Sequence, residues 1–213
     1  MSISQRVLRI VARSLKSVHL CKKVLVVSPT THILRGFLID RTMRKNMYNL
    51  WKVVAPLYRP MRFLILNYSE TIGPPTEWLT IKPDEIKDAA DRVTQYILDG
   101  HFDQLQQLRG PREFMEHVSW MVGNTTDPFR FDYAMTQYLL GNRAACLETL
   151  QALIADERPD ASPSHFCAWA KQIVPKIETN PSEVEEILRN FEQANIEMLA
   201  LSPTLIDRDR PRE

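Results

Sequence analysis

The 213-residue chain is 44% hydrophobic and 25% charged, an ordinary globular composition with room for one large domain or two small ones. Its three scattered cysteines argue against a disulfide framework and for a reducing compartment, no apolar run approaches the roughly 18 residues of a membrane helix, and its six glycines include no phosphate-cradling G-x-G-x-x-G or G-x-x-x-x-G-K-[ST]. The formal charge of +1 conceals an asymmetry: residues 1–66 hold 13 Lys and Arg against the single acid Asp40, a net of +12, and the remainder holds 14 bases and 25 acids, a net of −11.

In chain order, Ile3, Val7, Ile10, Val11, Leu15 and Val18 form one apolar stripe and predict an amphipathic helix over 3–18. Arg6, Arg9, Arg13 and Lys16 occupy its other side. Such a helix packs its stripe on a sheet, binds an anionic membrane, contacts nucleic acid, or serves as a mitochondrial targeting segment. Lys23–Ser28 is either a first strand or a continuation of that helix. His32–Tyr68 is the one dense β block and predicts an antiparallel meander: Ile33–Asp40, Tyr48–Tyr58 and Arg62–Ser69, joined by a polar connection and by Arg59-Pro60. Pro56 removes a ladder donor, so that end belongs on an edge or at a bulge. Both faces of ILRGFLI are apolar, so both need cover.

Gly73-Pro74-Pro75 closes the basic β block, although Trp78, Leu79 and Ile81 offer one more short strand. Helices follow. Pro83-Asp-Glu opens one that runs to Asp99, with Ile86, Ala89, Ala90, Val93 and Ile97 as its stripe. Short helices follow at Asp103–Leu108 and after Gly110-Pro111. Asp127-Pro128, Ser162-Pro163 and Asn180-Pro181 each read as an N-cap before a first-turn proline, opening helices near 128–140, 163–178 and 181–201. Pro175 is expected to kink or shorten the second of these. Asn142–Asp156 is a further helix, set off by Gly141.

Tyr133–Ala155 forms an αα-hairpin turning at Gly141-Asn142. With Ala134, Gly141, Cys146 and Leu150 near the small, turn and bulky positions, it resembles a single tetratricopeptide unit. Gln137 stands where that motif has an aromatic, and no second copy recurs at the repeat distance. The resemblance therefore implies a helical hairpin of interaction type and no binding site.

The fold class is α+β: an N-terminal amphipathic helix, a small antiparallel meander of three to five strands, and a C-terminal helical bundle. Residues 1–72 are expected to form the basic part, 73–204 the acidic helical part packed on it, and 205–213 a disordered tail.

Candidate chemistry is sparse. Cys21, His32 and Asp40 are the residue types of a thiol nucleophile, base and orienter, but no local signature surrounds Cys21. His165 and Cys167, two apart on a helix, point away from each other and make a poor metal pair. The acids at Glu183, Glu185 and Glu186 suit a helix N-terminus. No cofactor or metal is implied. The most suggestive set is Arg35, Arg41, Arg44, Lys45, Lys52, Arg59 and Arg62 with the aromatics Tyr48, Trp51, Tyr58 and Phe63. These residues point to a non-catalytic intracellular protein that binds another protein with an acidic surface, in an adaptor, regulatory or toxin-neutralising role. The alternative is a nucleic-acid-binding module on the basic sheet face, with bases stacked on its aromatics. A third possibility is that the acidic helices neutralise the cations internally.

Overall fold

A computed structural model describes residues 1–73, 79–121, 126–156 and 164–206. Pro74, Pro75, Trp78, Gly123, Ser162, Pro163 and the charged tail from Asp207 lie outside the described residues. The architecture is α+β, and it divides into two compact units. The first comprises Met1–Ala55, Phe63–Arg109 and the segment from Glu197; the second comprises Pro56–Arg62 and Gly110–Ile196.

The first unit opens with α1 (Ile3–Ser14). Ser2 caps it: its hydroxyl accepts from the Gln5 amide at 3.2 Å, and the Gln5 side chain accepts from the Ser2 amide at 3.1 Å. Val7, Leu8 and Val11 are wholly buried where α1 packs across the sheet and on α2 (Ile86–Tyr96). Each buried side chain of this kind contributes roughly 1.5–3 kcal/mol. The helix stops four residues short of the expected Val18 because Val18 already belongs to β1 (Val18–Cys21). A Lys22-Lys23 turn with Lys22 at φ +51° returns the chain as β2 (Val24–Val27). Lys23–Ser28 thus resolves as strand, the second arm of a hairpin whose first arm begins at Val18, the last residue of the expected helix.

The sheet continues with β3 (Ile33–Arg41), β4 (Met47–Pro56), β5 (Glu70–Ile72) and β6 (Leu79–Thr80). The order is β1-β2-β3-β4-β5, and β6 pairs with β4 at Met47 and Tyr48. Leu79 does add the short extra strand. Gly36 lies opposite Val26 in the β2–β3 pairing: a Cβ there would collide with the Leu25 carbonyl oxygen and sit 3.2 Å from Val24 Cγ1.

The expected strand at Arg62–Ser69 does not form. Chain 56–62 belongs to the second unit, so Arg59-Pro60 is not a tight hairpin turn. When the chain returns, Lys52 pairs with Glu70, and the Val54 amide donates to the Ser69 hydroxyl at 3.3 Å instead of continuing the ladder. Pro56 is the last residue of β4.

α2 starts at Ile86, three residues after Pro83, and buries Ile86, Ala89, Ala90 and Val93 as its spacing predicts. The helix breaks at Asp99-Gly100, and α3 (Phe102–Gln107) follows. The C-terminal segment returns to this unit. After Ala200, at φ +53°, a short 3₁₀ turn spans Pro203–Leu205; the Thr30 amide donates to the Leu205 carbonyl at 2.6 Å, and Thr30 bridges Ile206. Leu205 is therefore buried and not the start of a loose tail.

The second unit is helical. α4 (Pro111–His117), α5 (Asp127–Leu139), α6 (Arg143–Ala155) and α7 (His165–Thr179) are followed by α8 (Pro181–Leu199), whose last three residues belong to the first unit. The α5–α6 turn closes by a nested pair of bonds: the Gly141 amide donates to the Tyr138 carbonyl, and the Asn142 amide donates to the Gln137 carbonyl. This arrangement requires a left-handed residue, and Gly141 supplies it at φ +79°. Ser164 caps α7 by accepting from the Cys167 amide at 3.3 Å. α7 runs on past Pro175 for four residues. Phe131 meets Phe166 at 5.5 Å, and Trp169 meets Phe191 edge-on at 4.6 Å.

Candidate interaction surface

The nine cations and tyrosines singled out in the sequence separate into two groups. Arg35, Tyr48, Lys52, Tyr58 and Arg59 are buried. Arg41, Arg44, Lys45 and Arg62 are exposed.

The buried cations have structural partners. The Arg35 guanidinium donates to the Leu105 carbonyl at 3.0 Å and to the Pro29 carbonyl. Leu105 lies in the last turn of α3, and its carbonyl also accepts from the Leu108 amide at 3.3 Å. Lys52 donates to Gln104 Oε1 at 2.7 Å and forms an ion pair with Glu70, its cross-strand neighbour. In the second unit Arg59 pairs with Asp132, and both are wholly buried. Thr136 donates to the Asp132 carbonyl at 2.6 Å, which leaves its oxygen to accept from the Tyr58 hydroxyl, also at 2.6 Å. Asn195 donates to the carbonyls of Leu57 and Arg59 at 2.6 and 2.7 Å. Burial holds the Tyr58 hydroxyl well above its ordinary pKa, so it stays a neutral donor. Asp132, Thr136 and Asn195 were not singled out in the sequence. The available signal was the spacing of Asp132, Met135, Thr136 and Leu139, which places an acid within the buried stripe of α5.

The exposed cations sit mainly on the β3–β4 connection, and the local chemistry turns them outward. Thr42 closes the loop: its amide and its hydroxyl both reach the Met47 carbonyl at 3.0 Å, and its hydroxyl accepts from the Arg44 amide at 3.2 Å. Asn46, a residue type that tolerates the left-handed region, takes φ +59°, and its carbonyl accepts from the Ile81 amide at 2.9 Å. The polar groups that could fold inward are thus the short ones, Thr42 and Asn46. Arg41, Arg44 and Lys45 stay exposed, and Met43 between them is fully exposed. No ion pair reaches these three cations among the described residues. Met43 was missed because it lies in a stretch read only as polar connection.

Arg62 lies in the second unit, where it and Arg59 help to depress the pKa of His165, behind the larger effect of partial burial. The aromatics are not arrayed for stacking. Tyr48 and Tyr58 are buried, Trp51 is half-buried, and Phe63 is exposed on the loop that replaced the expected strand.

The other constellations are dispersed. Cys21 pairs with Val24, and Val24 with Leu38. His32 is six residues from Leu38 along the chain, about 20 Å at strand rise, so Cys21 and His32 are not adjacent. Burial raises the Cys21 thiol, and it pushes the Cys146 thiol up to about 12. Neither is an activated nucleophile. His165 is exposed and Cys167 buried, so they face apart.

No family model matches this chain. Neither the curated proteins nor the solved structures gave a match. The α5–α6 hairpin accordingly stands on its own geometry.

Proposed function

We propose that the chain is a non-catalytic intracellular protein that binds another protein, in an adaptor, regulatory or toxin-neutralising role, through the β3–β4 tip. The observation that carries this reading is a fully exposed Met43 set among Arg41, Arg44 and Lys45, which have no acidic partner among the described residues. Arg and Met are enriched at protein interfaces, and an apolar anchor ringed by charge suits a partner that offers an acidic rim around a small pocket. Burial of Tyr48 and Tyr58 removes two of the aromatics on which a nucleic-acid reading depends. The three cysteines are all buried free thiols, which supports a reducing compartment. The apolar stripe of α1 is part of the core, which counts against a removable mitochondrial targeting segment.

Charge reversal tests the surface. The R41E/R44E/K45E chain is expected to keep the melting temperature of the parent, since these side chains are solvated. It is expected to lose retention on immobilised polyglutamate at low salt. An R6E/K16E chain, altered at two exposed positions on and just after α1, is expected to keep most of that retention. Equal loss in both variants would show diffuse attraction and no site. Tighter, salt-steep binding to oligothymidine than to polyglutamate would favour the nucleic-acid alternative.

A further inference from the structure

A cavity of about 530 Å³, open to solvent, lies within the first unit at the outer edge of the sheet. Three elements border it: α1, the edge strand β1, and the returning segment after α8. Its volume falls within the range of small-molecule sites, roughly 300–1,000 Å³. Its chemistry is one-sided, because no acid lines it among the described residues. Arg9 and Arg13, four apart on α1, rise from the same helix face and bring two guanidinium groups to the cavity, with His19 on the adjoining strand. Ser202 and Thr204 add hydroxyls on the opposite wall, 3.0 Å from each other. Ala12, Val18, Leu20 and Leu205 supply apolar surface between these polar groups.

We propose that this cavity binds a small soluble phosphomonoester, with the phosphate held by Arg9 and Arg13 and an apolar or aromatic body lying against Val18, Leu20 and Leu205. Two planar guanidinium forks match the paired oxygens of a phosphate, and the hydroxyls offer donors from a second direction. A net charge of two is met by two arginines without an internal competitor, since no ion pair engages either one among the described residues. The cavity is built by the fold and is not a patch on one helix. The Thr30–Leu205 and Thr30–Ile206 contacts fix its far wall against the sheet, and Lys22 donates to the Met198 carbonyl as the chain leaves α8. Binding here would link the C-terminal segment to α1, at a place separate in sequence from the β3–β4 tip.

The test is calorimetric titration of the full chain with phenyl phosphate, inorganic phosphate and phenol. Phenyl phosphate is expected to bind, inorganic phosphate to bind more weakly, and phenol not to bind measurably. R9Q/R13Q is expected to weaken phenyl phosphate at least tenfold with an unchanged melting temperature, because both side chains are exposed. R6Q/K16Q, which changes one exposed charge on α1 and one just after it, neither lining the cavity, is expected to leave the affinity within about twofold. Loss of equal size in the two variants, or no phenyl phosphate binding at millimolar concentration, overturns the proposal. So does binding only to phosphatidylcholine vesicles that carry phosphatidic acid, which would make the feature a lipid surface contact.

Discussion

Asp132→Ala is expected to destabilise the protein by about 3–5 kcal/mol, because it leaves the Arg59 guanidinium buried without its carboxylate. For a chain of this length that corresponds to a fall in melting temperature of roughly 6–20 °C. The loss comes less from the missing attraction than from the stranded charge. Removing both charges together tests that account: Arg59→Met with Asp132→Leu is expected to recover most of the stability, since a well-packed apolar pair is often equal to or better than a buried ion pair. The rest of the network also constrains the outcome. Asn195 holds the carbonyls of Leu57 and Arg59, and Tyr58 is tied to Thr136, so the backbone around Arg59 stays in place when the side chain changes. Thermal unfolding of the two variants against the parent gives the comparison. A loss under about 1 kcal/mol for Asp132→Ala would mean that Arg59 escapes to solvent and is not the core residue described here.

Gly36→Ala is expected to have the second large effect, about 3 kcal/mol, at the upper end of overpacking costs. The new methyl group would meet the Leu25 carbonyl oxygen, with the Leu25 carbonyl carbon at 3.1 Å, and both belong to backbone held in the sheet. A flexible side chain would give way, but a strand in register cannot do so without opening its neighbours. The disturbance should spread to the β2–β3 pairing, at Leu25 with Phe37 and Val26 with Gly36. Amide hydrogen exchange is the appropriate readout: protection of Leu25, Val26 and Phe37 should fall together. A variant as stable and as protected as the parent would show that β2 and β3 are farther apart than described.

These two sites show what the sequence displayed and what it hid. The helices were readable because their stripes are long. Ile86, Ala89, Ala90, Val93 and Ile97 are all buried, and Gly141 ends α5 as its position implied. The β block was readable in kind but not in extent. The β1–β2 hairpin turns on Lys22-Lys23, which carries none of the Gly, Asn or Asp signals of a tight turn. The apolar run Phe63–Leu66 looked like a strand, but β4 pairs with β5 and β6, and the intervening chain 56–62 contributes to the other unit.

The basic set was legible as composition and not as surface. Residue type says that Arg35, Lys52 and Arg59 are charged, and only packing says that they are buried. For Lys52 the warning was present in the alternation Tyr48, Leu50, Lys52, Val54, which puts the lysine on the buried face of β4. For Arg35 the warning was that both faces of β3 are apolar. For Arg59 no local pattern served, because its partner Asp132 lies 73 residues away along the chain. Internal neutralisation thus accounts for Lys52 and Arg59, and backbone carbonyls for Arg35, while the β3–β4 tip keeps its charge exposed.

The most direct measurement of the central claim is site-specific photocross-linking from position 43, carried out with the full chain in the cells that produce it. A photoreactive residue in place of Met43 is expected to give a discrete protein adduct. That adduct should disappear in the R41E/R44E/K45E background, and it should not form from the exposed control position Trp120. A nucleic-acid adduct, or the same protein adduct after charge reversal, would contradict the assignment of the β3–β4 tip as the partner-binding surface.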